Sequence, residues 1–86
     1  MKDLVILGST GSIGVQALEI VAANPSLFRV VAISAAGSNP QLLIDQAKQF
    51  NVSVVGTTKN ADIIKAGLPG ATIIDGENAA TEIAAI

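Results

Sequence analysis

Gly8-Ser9-Thr10-Gly11-Ser12-Ile13-Gly14 decides the fold through what stands on either side of it. Before it, residues 3–8 (Asp-Leu-Val-Ile-Leu-Gly) form a continuous apolar run, the pattern of a strand buried on both faces of a parallel sheet. After it, from Ser12 to Ala23, the periodicity turns helical. Ile13, Ala17, Ile20 and Val21 recur at helical spacing as the inward face, and Asn24-Pro25 ends the helix. In a glycine-rich turn between strand and helix, Gly8 permits the tight bend, Gly11 lets the backbone approach a pyrophosphate, and Gly14 allows close packing of helix on strand. A phosphate there meets backbone N–H groups and the positive end of the helix dipole. The hydroxyls of Ser9, Thr10 and Ser12 add donors. The spacing is G-x-x-G-x-x-G rather than G-x-G-x-x-G, so its weight comes from the strand before and the helix after. The plainer alternative is a turn that only packs a helix on a sheet, a task that does not need three glycines at this spacing.

Working outward, Arg29 to Ser34 reads as a second buried strand. Asn39 is a suitable N-cap, with Pro40 at the first helical position and Leu43, Ala47 and Phe50 on one apolar face. Ser53 to Gly56 is a short third strand. Asn60 caps a brief helix through Ala66, with Gly67 as its stop. Ala71 to Ile74 is a fourth strand, and Asp75 or Gly76 opens a last helix with Ala80, Ile83 and Ile86 inward. Strict β-α alternation of this kind implies an α/β domain, a Rossmann-like parallel sheet carrying packed helices and truncated after about four strands. The missing part of the sheet would leave an edge, which is expected to make the isolated chain prone to dimerise.

With 86 residues the chain is one small domain. Half of it is hydrophobic, which excludes a disordered reading, yet no apolar run nears the roughly 18 residues of a membrane span. A formal charge of −2, no basic cluster and only Phe28 and Phe50 as aromatics argue against nucleic acid as a partner. The chain has neither Cys nor His, so disulfides, Cys/His zinc sites and Ser-His or Cys-His catalytic pairs are excluded within it. Lack of Cys is compatible with the cytosol. Met1 followed at once by a strand reads as a natural N-terminus without a leader segment. Thr81 to Ile86 stops inside a helical pattern, which reads as a fragment of something longer.

A second informative stretch lies past the second strand. NAD-binding domains place a carboxylate about twenty residues beyond the glycines to hold the ribose 2′-OH. Here that count reaches Ser34, and Ala35-Ala36-Gly37-Ser38-Asn39 holds no carboxylate to repel a 2′-phosphate. Gly37, Ser38 and Asn39 stand at the start of a helix, where donors can receive that phosphate, although no Arg or Lys lies in the stretch. The competing reading is that Ser38-Asn39-Pro40 is a helix cap alone. Asp45, Lys48, Asp62, Lys65, Glu77 and Glu82 fall on solvent faces, and neither a metal-binding carboxylate cluster nor a general base emerges.

From Gly8 to Leu18, and on through Asn24-Pro25, Phe28 to Ala32, Ala36 to Asn39 and Leu42 to Phe50, the chain resembles the 1-deoxy-D-xylulose 5-phosphate reductoisomerases. The resemblance implies that residues 1–86 are the N-terminal part of an NADPH-binding domain whose catalytic and C-terminal domains lie elsewhere. It implies a cytoplasmic bacterial enzyme of the non-mevalonate isoprenoid pathway, a homodimer. Mg²⁺ or Mn²⁺ would chelate its phosphosugar substrate during a carbon-skeleton rearrangement, before NADPH reduces the resulting aldehyde to 2-C-methyl-D-erythritol 4-phosphate. Carried over by position, its cofactor contacts fall on Thr10, Gly11, Ser12 and Ile13 at the first loop, and on Gly37, Ser38 and Asn39 at the 2′-phosphate. Some members carry Lys where this chain has Ser38. Metal ligands and catalytic residues would lie beyond Ile86, leaving this chain inactive alone. The alternatives are another NADP-dependent family, of semialdehyde dehydrogenase or extended short-chain dehydrogenase type, and a non-catalytic NADP(H)-sensing module.

Overall fold

The computed structural model describes residues 1–85 and contains four strands alternating with four helices. These are β1 (Lys2–Leu7), α1 (Ser12–Ala23), β2 (Phe28–Ala35), α2 (Pro40–Gln49), β3 (Val54–Thr57), α3 (Ala61–Gly67), β4 (Thr72–Asp75) and α4 (Ala79–Ala84). The strands lie parallel in the order β1-β2-β3-β4, so each crossover steps one place in the same direction. Right-handed crossovers repeated in one direction put their helices on one face. The packing shows this arrangement: in-register Ile6, Ile33, Val55 and Ile73 face Leu18 and Val21 of α1, Leu43, Ile44 and Ala47 of α2, and Ile64 of α3.

The opposite face carries Ala32, Ser34 and Gly56, and α4 lies across it. A Cβ on Gly56 would come 2.6 Å from Ile83 Cδ1, so the absent side chain lets α4 settle on the sheet. Between β1 and β2 the register slips, with Leu4 opposite Val30 but Val5 opposite Ala32, leaving Val31 as an extra residue. Asp3 and Arg29 face each other at the N-terminal edge of the sheet and form an exposed two-pronged pair at 2.9 and 3.0 Å. The hydrogen bond from Arg29, with its positive charge, holds the Asp3 carboxyl below its ordinary value.

Several expectations need correcting. β1 is an edge strand, half-buried rather than buried on both faces, because no strand lies on its outer side among the described residues. The inward face of α1 is Gly14, Leu18 and Val21, while Ile13 and Ile20 are 82% and 59% exposed. The helix is turned by about one residue because Gly14, the one position without a side chain, must abut the loop. In α4 the inward residues are Ala79 and Ile83 rather than Ala80, and Ile86 lies outside the described residues. Gly67 is no terminator. It is the last helical residue, and a Cβ there would come 2.6 Å from Ile44 Cδ1, so its bareness lets α3 approach α2. The charged residues assigned to solvent faces are all exposed.

Candidate functional site

All four strands end at one edge of the sheet, and the two loops singled out by the sequence leave neighbouring strands there. At the end of β1, Gly8 takes φ +69°, a left-handed conformation that side chains disfavour. Ser9 is fully buried. Its N–H donates to the Ser34 carbonyl of β2 at 2.9 Å, and its own carbonyl accepts from Gln46 Nε2 of α2 at 2.8 Å. The Gly11 N–H turns back onto the Gly8 carbonyl at 3.0 Å, so Gly11 offers close approach rather than a donor.

The first bond along α1 runs from the Val15 N–H to the Gly11 carbonyl at 2.9 Å, and no side chain caps the helix. Among the described residues the N–H groups of Ser12, Ile13 and Gly14 thus have no protein acceptor, at the positive end of a helix 12 residues long. Of the three hydroxyls expected to add donors, that of Ser9 is buried, while Thr10 is half-buried and Ser12 exposed. An anion placed there would satisfy donors that the fold leaves open.

Two of the loop's glycines differ in kind. At Gly14 a Cβ would strike the Gly8 carbonyl and come 2.7 Å from Ser9 Cα, so α1 can meet the loop only without a side chain. At Gly11, φ is −76° and a Cβ would touch nothing closer than the Gly8 carbonyl at 3.4 Å. Folding alone thus gives Gly11 no reason to be glycine.

At the second loop Gly37 takes φ +88°, and a Cβ there would strike both the Lys59 carbonyl and Thr57 Oγ1. The loop is tied to the segment after β3. Thr58 Oγ1 donates to the Ala36 carbonyl at 2.9 Å, and Asn60 Nδ2 donates to the Gly37 carbonyl at 2.8 Å. Asn60 is therefore not a side-chain cap for α3. It sits at φ 58° with its amide turned to the neighbouring loop. Asn39 does cap α2, its Oδ1 accepting from the Leu42 N–H at 3.2 Å. That bond uses the acceptor half of the amide, and among the described residues the Nδ2 donors have no partner. Capping and phosphate binding thus do not compete for the same atoms. Ser38 and Asn39 are exposed.

The fold also supplies residues that sequence reasoning passed over. Lys59 lies far from Gly37 in sequence, yet its backbone packs on it, beside a loop that has no basic residue of its own. Gln46 is 6% exposed, and its position three residues after Leu43 on the apolar stripe was the available signal. Among the described residues no group of Asp, Glu, His or Cys is placed to hold a metal ion.

The chain matches the family model described as 1-deoxy-D-xylulose 5-phosphate reductoisomerase over residues 4–86. It is 51% identical over 82 residues to the enzyme of that name from Corynebacterium efficiens, covering 90% of this chain and 20% of the relative. The chloroplastic enzyme of Mentha piperita is 46% identical over 89 residues, covering 96% and 19%. Among solved structures, the reductoisomerase of Zymomonas mobilis in complex with NADPH superposes with a TM-score of 0.88 at 29% identity, covering 96% of this chain and 23% of that one. A DOX-P reductoisomerase in complex with NADPH, fosmidomycin and magnesium gives 0.89 at 28% identity, covering 98% and 22%. The chain spans about a fifth of the length of the curated relatives it matches.

Proposed function

We propose, since this chain belongs to the 1-deoxy-D-xylulose 5-phosphate reductoisomerase family, that it is the N-terminal part of the NADPH-binding domain of a longer enzyme. That enzyme converts 1-deoxy-D-xylulose 5-phosphate to 2-C-methyl-D-erythritol 4-phosphate. Thr10, Gly11, Ser12 and Ile13 receive the pyrophosphate, and Gly37, Ser38 and Asn39 receive the 2′-phosphate. The observation that carries this reading is Gly11, where the fold has room for a side chain and the sequence has none, beside three N–H donors without an acceptor among the described residues. NADPH, when bound, supplies the hydride for the reduction. The residues of this chain hold and orient it through helix N-termini and hydroxyls, and bring no general base.

A divalent metal does not fit these residues, since no carboxylate cluster exists among those described. Its ligands belong to the remainder of the enzyme, as do the phosphosugar site and the contacts of a homodimer. The bacterial cytoplasm is the compartment this reading assigns. A solved relative's complex with NADPH supports the cofactor assignment, and the absence of any carboxylate from Ala35 to Asn39 supports NADPH over NADH.

Calorimetric titration of the whole enzyme with NADPH and NADH tests the reading. NADPH is expected to bind the more tightly. Ser38→Asp would bring a negative charge against the 2′-phosphate and weaken NADPH by roughly tenfold or more while leaving NADH nearly unchanged, a difference of about 1.4 kcal/mol or larger. Equal affinity for both cofactors, unaltered by Ser38→Asp, would overturn the assignment of Gly37 to Asn39.

A further inference from the structure

We propose that Gln46 is a positioning residue for the pyrophosphate loop, fixing Ser9, and with it the open N–H groups of Ser12 to Gly14, relative to the loop that begins α2. The inference rests on the reading of Gly8 to Gly14 as a cofactor loop.

Gln46 occupies a buried place on α2 that the neighbouring Leu43, Ala47 and Phe50 would lead one to fill with hydrocarbon. A primary amide buried there is costly unless it is hydrogen-bonded. Its Nε2 reaches across 37 residues of sequence to the Ser9 carbonyl at 2.8 Å. Ser9 is gripped on its other side by the Ser34 carbonyl of β2, and its Cα lies directly beneath Gly14. The turn between Gly8 and α1 is thus held from two separate elements at a single residue.

The amide's other half is telling. Among the described residues Gln46 Oε1 has no partner where it is buried, nor has the Ser9 hydroxyl. The hydrogen bond from Nε2 to the Ser9 carbonyl is therefore what holds this buried amide in place.

The helix that carries Gln46 begins at the second loop. Its first turn follows Asn39, and Gln46 comes six residues after Pro40, about 9 Å along a rigid rod. α2 therefore spans from the 2′-phosphate position at its start to the underside of the pyrophosphate loop. A dinucleotide gripped at both phosphates needs a fixed separation between them, and Gln46 is the side chain that sets it.

Two variants of the whole enzyme test this. Gln46→Met keeps length and burial but has no donor. Gln46→Glu can donate to the Ser9 carbonyl only while protonated. Affinities for NADPH and for adenosine 2′-monophosphate, which has no pyrophosphate, are measured from pH 5.5 to 8.5 and divided by those of the unaltered enzyme at each pH. Gln46→Met is expected to weaken NADPH about tenfold and adenosine 2′-monophosphate less than twofold. Gln46→Glu is expected to bind NADPH nearly normally at the acid end and progressively worse as the pH rises. Equal weakening of both ligands by Gln46→Met would mean that the amide only supports α2, and would overturn the proposal. So would a Gln46→Met enzyme within twofold of normal for NADPH, or a Gln46→Glu ratio flat with pH. Failure of the unaltered enzyme to bind NADPH would instead overturn the cofactor reading itself.

Discussion

At Gly11 and Gly14 the same residue type meets different surroundings, and the difference is measurable. Gly14→Ala drives a methyl group into backbone that cannot yield, since the obstacles are the Gly8 carbonyl and Ser9 Cα rather than a flexible side chain. Overpacking of this kind costs about 1–3 kcal/mol, so its melting temperature should fall by several degrees. Gly11→Ala meets only an ordinary contact at 3.4 Å in a conformation alanine accepts. It should melt within about a degree of the unaltered protein, or slightly higher because the unfolded chain loses freedom, yet bind NADPH much more weakly. Thermal melts of the two variants beside cofactor titrations separate the roles. A Gly11→Ala variant with normal affinity would leave the loop as a packing device. The glycine spacing told where the loop lies, but which glycine serves folding and which serves the ligand depends on atoms that meet only after α1 docks.

Among the elements, the alternation of apolar runs and helical periods was enough to order all eight, with boundaries displaced by a residue or two except at α4, which opens at Ala79 rather than at Asp75 or Gly76, because Asp75 still belongs to β4. What the periodicity could not give was the direction each helix faces. Ile13 and Ile20 are as apolar as Leu18, so composition alone favours no single stripe, and the choice falls to Gly14, whose lack of a side chain brings its side of α1 against the loop. The tie between the segment after β3 and the second loop was equally hidden. Asn60 stands where a cap belongs, and only the left-handed backbone at that residue turns its amide toward the Gly37 carbonyl. Removing that tether with Asn60→Ala frees a loop rather than a helix end. The variant should lose about 0.5–1.5 kcal/mol of stability, and its affinity for NADPH should fall more than its affinity for NADH. Denaturant unfolding and paired titrations read the two effects. Equal loss for both cofactors would place the effect of Asn60 outside the 2′-phosphate loop.

For the molecule as a whole, the order β1-β2-β3-β4 places three helices on one face and α4 across the other, with β1 at an edge. Leu7, Ile13 and Ile20 remain exposed about that edge. The sequence announced parallel strands and their number, and it anticipated an open edge, but not that the strand leading into the glycine loop would be the one left there. With β1 and β2 adjacent, the loops that leave them lie at one rim of the sheet, where a dinucleotide can touch both. On the proposed function, these two helix N-termini hold the pyrophosphate and the 2′-phosphate of NADPH. A crystal structure of the enzyme with NADPH tests it most directly. Pyrophosphate oxygens are expected within hydrogen-bonding distance, about 3 Å, of the Ser12 and Ile13 N–H groups, and the 2′-phosphate against Ser38 and Asn39 Nδ2. A cofactor whose 2′-phosphate lies away from Gly37 to Asn39, or whose pyrophosphate does not meet the start of α1, would contradict it.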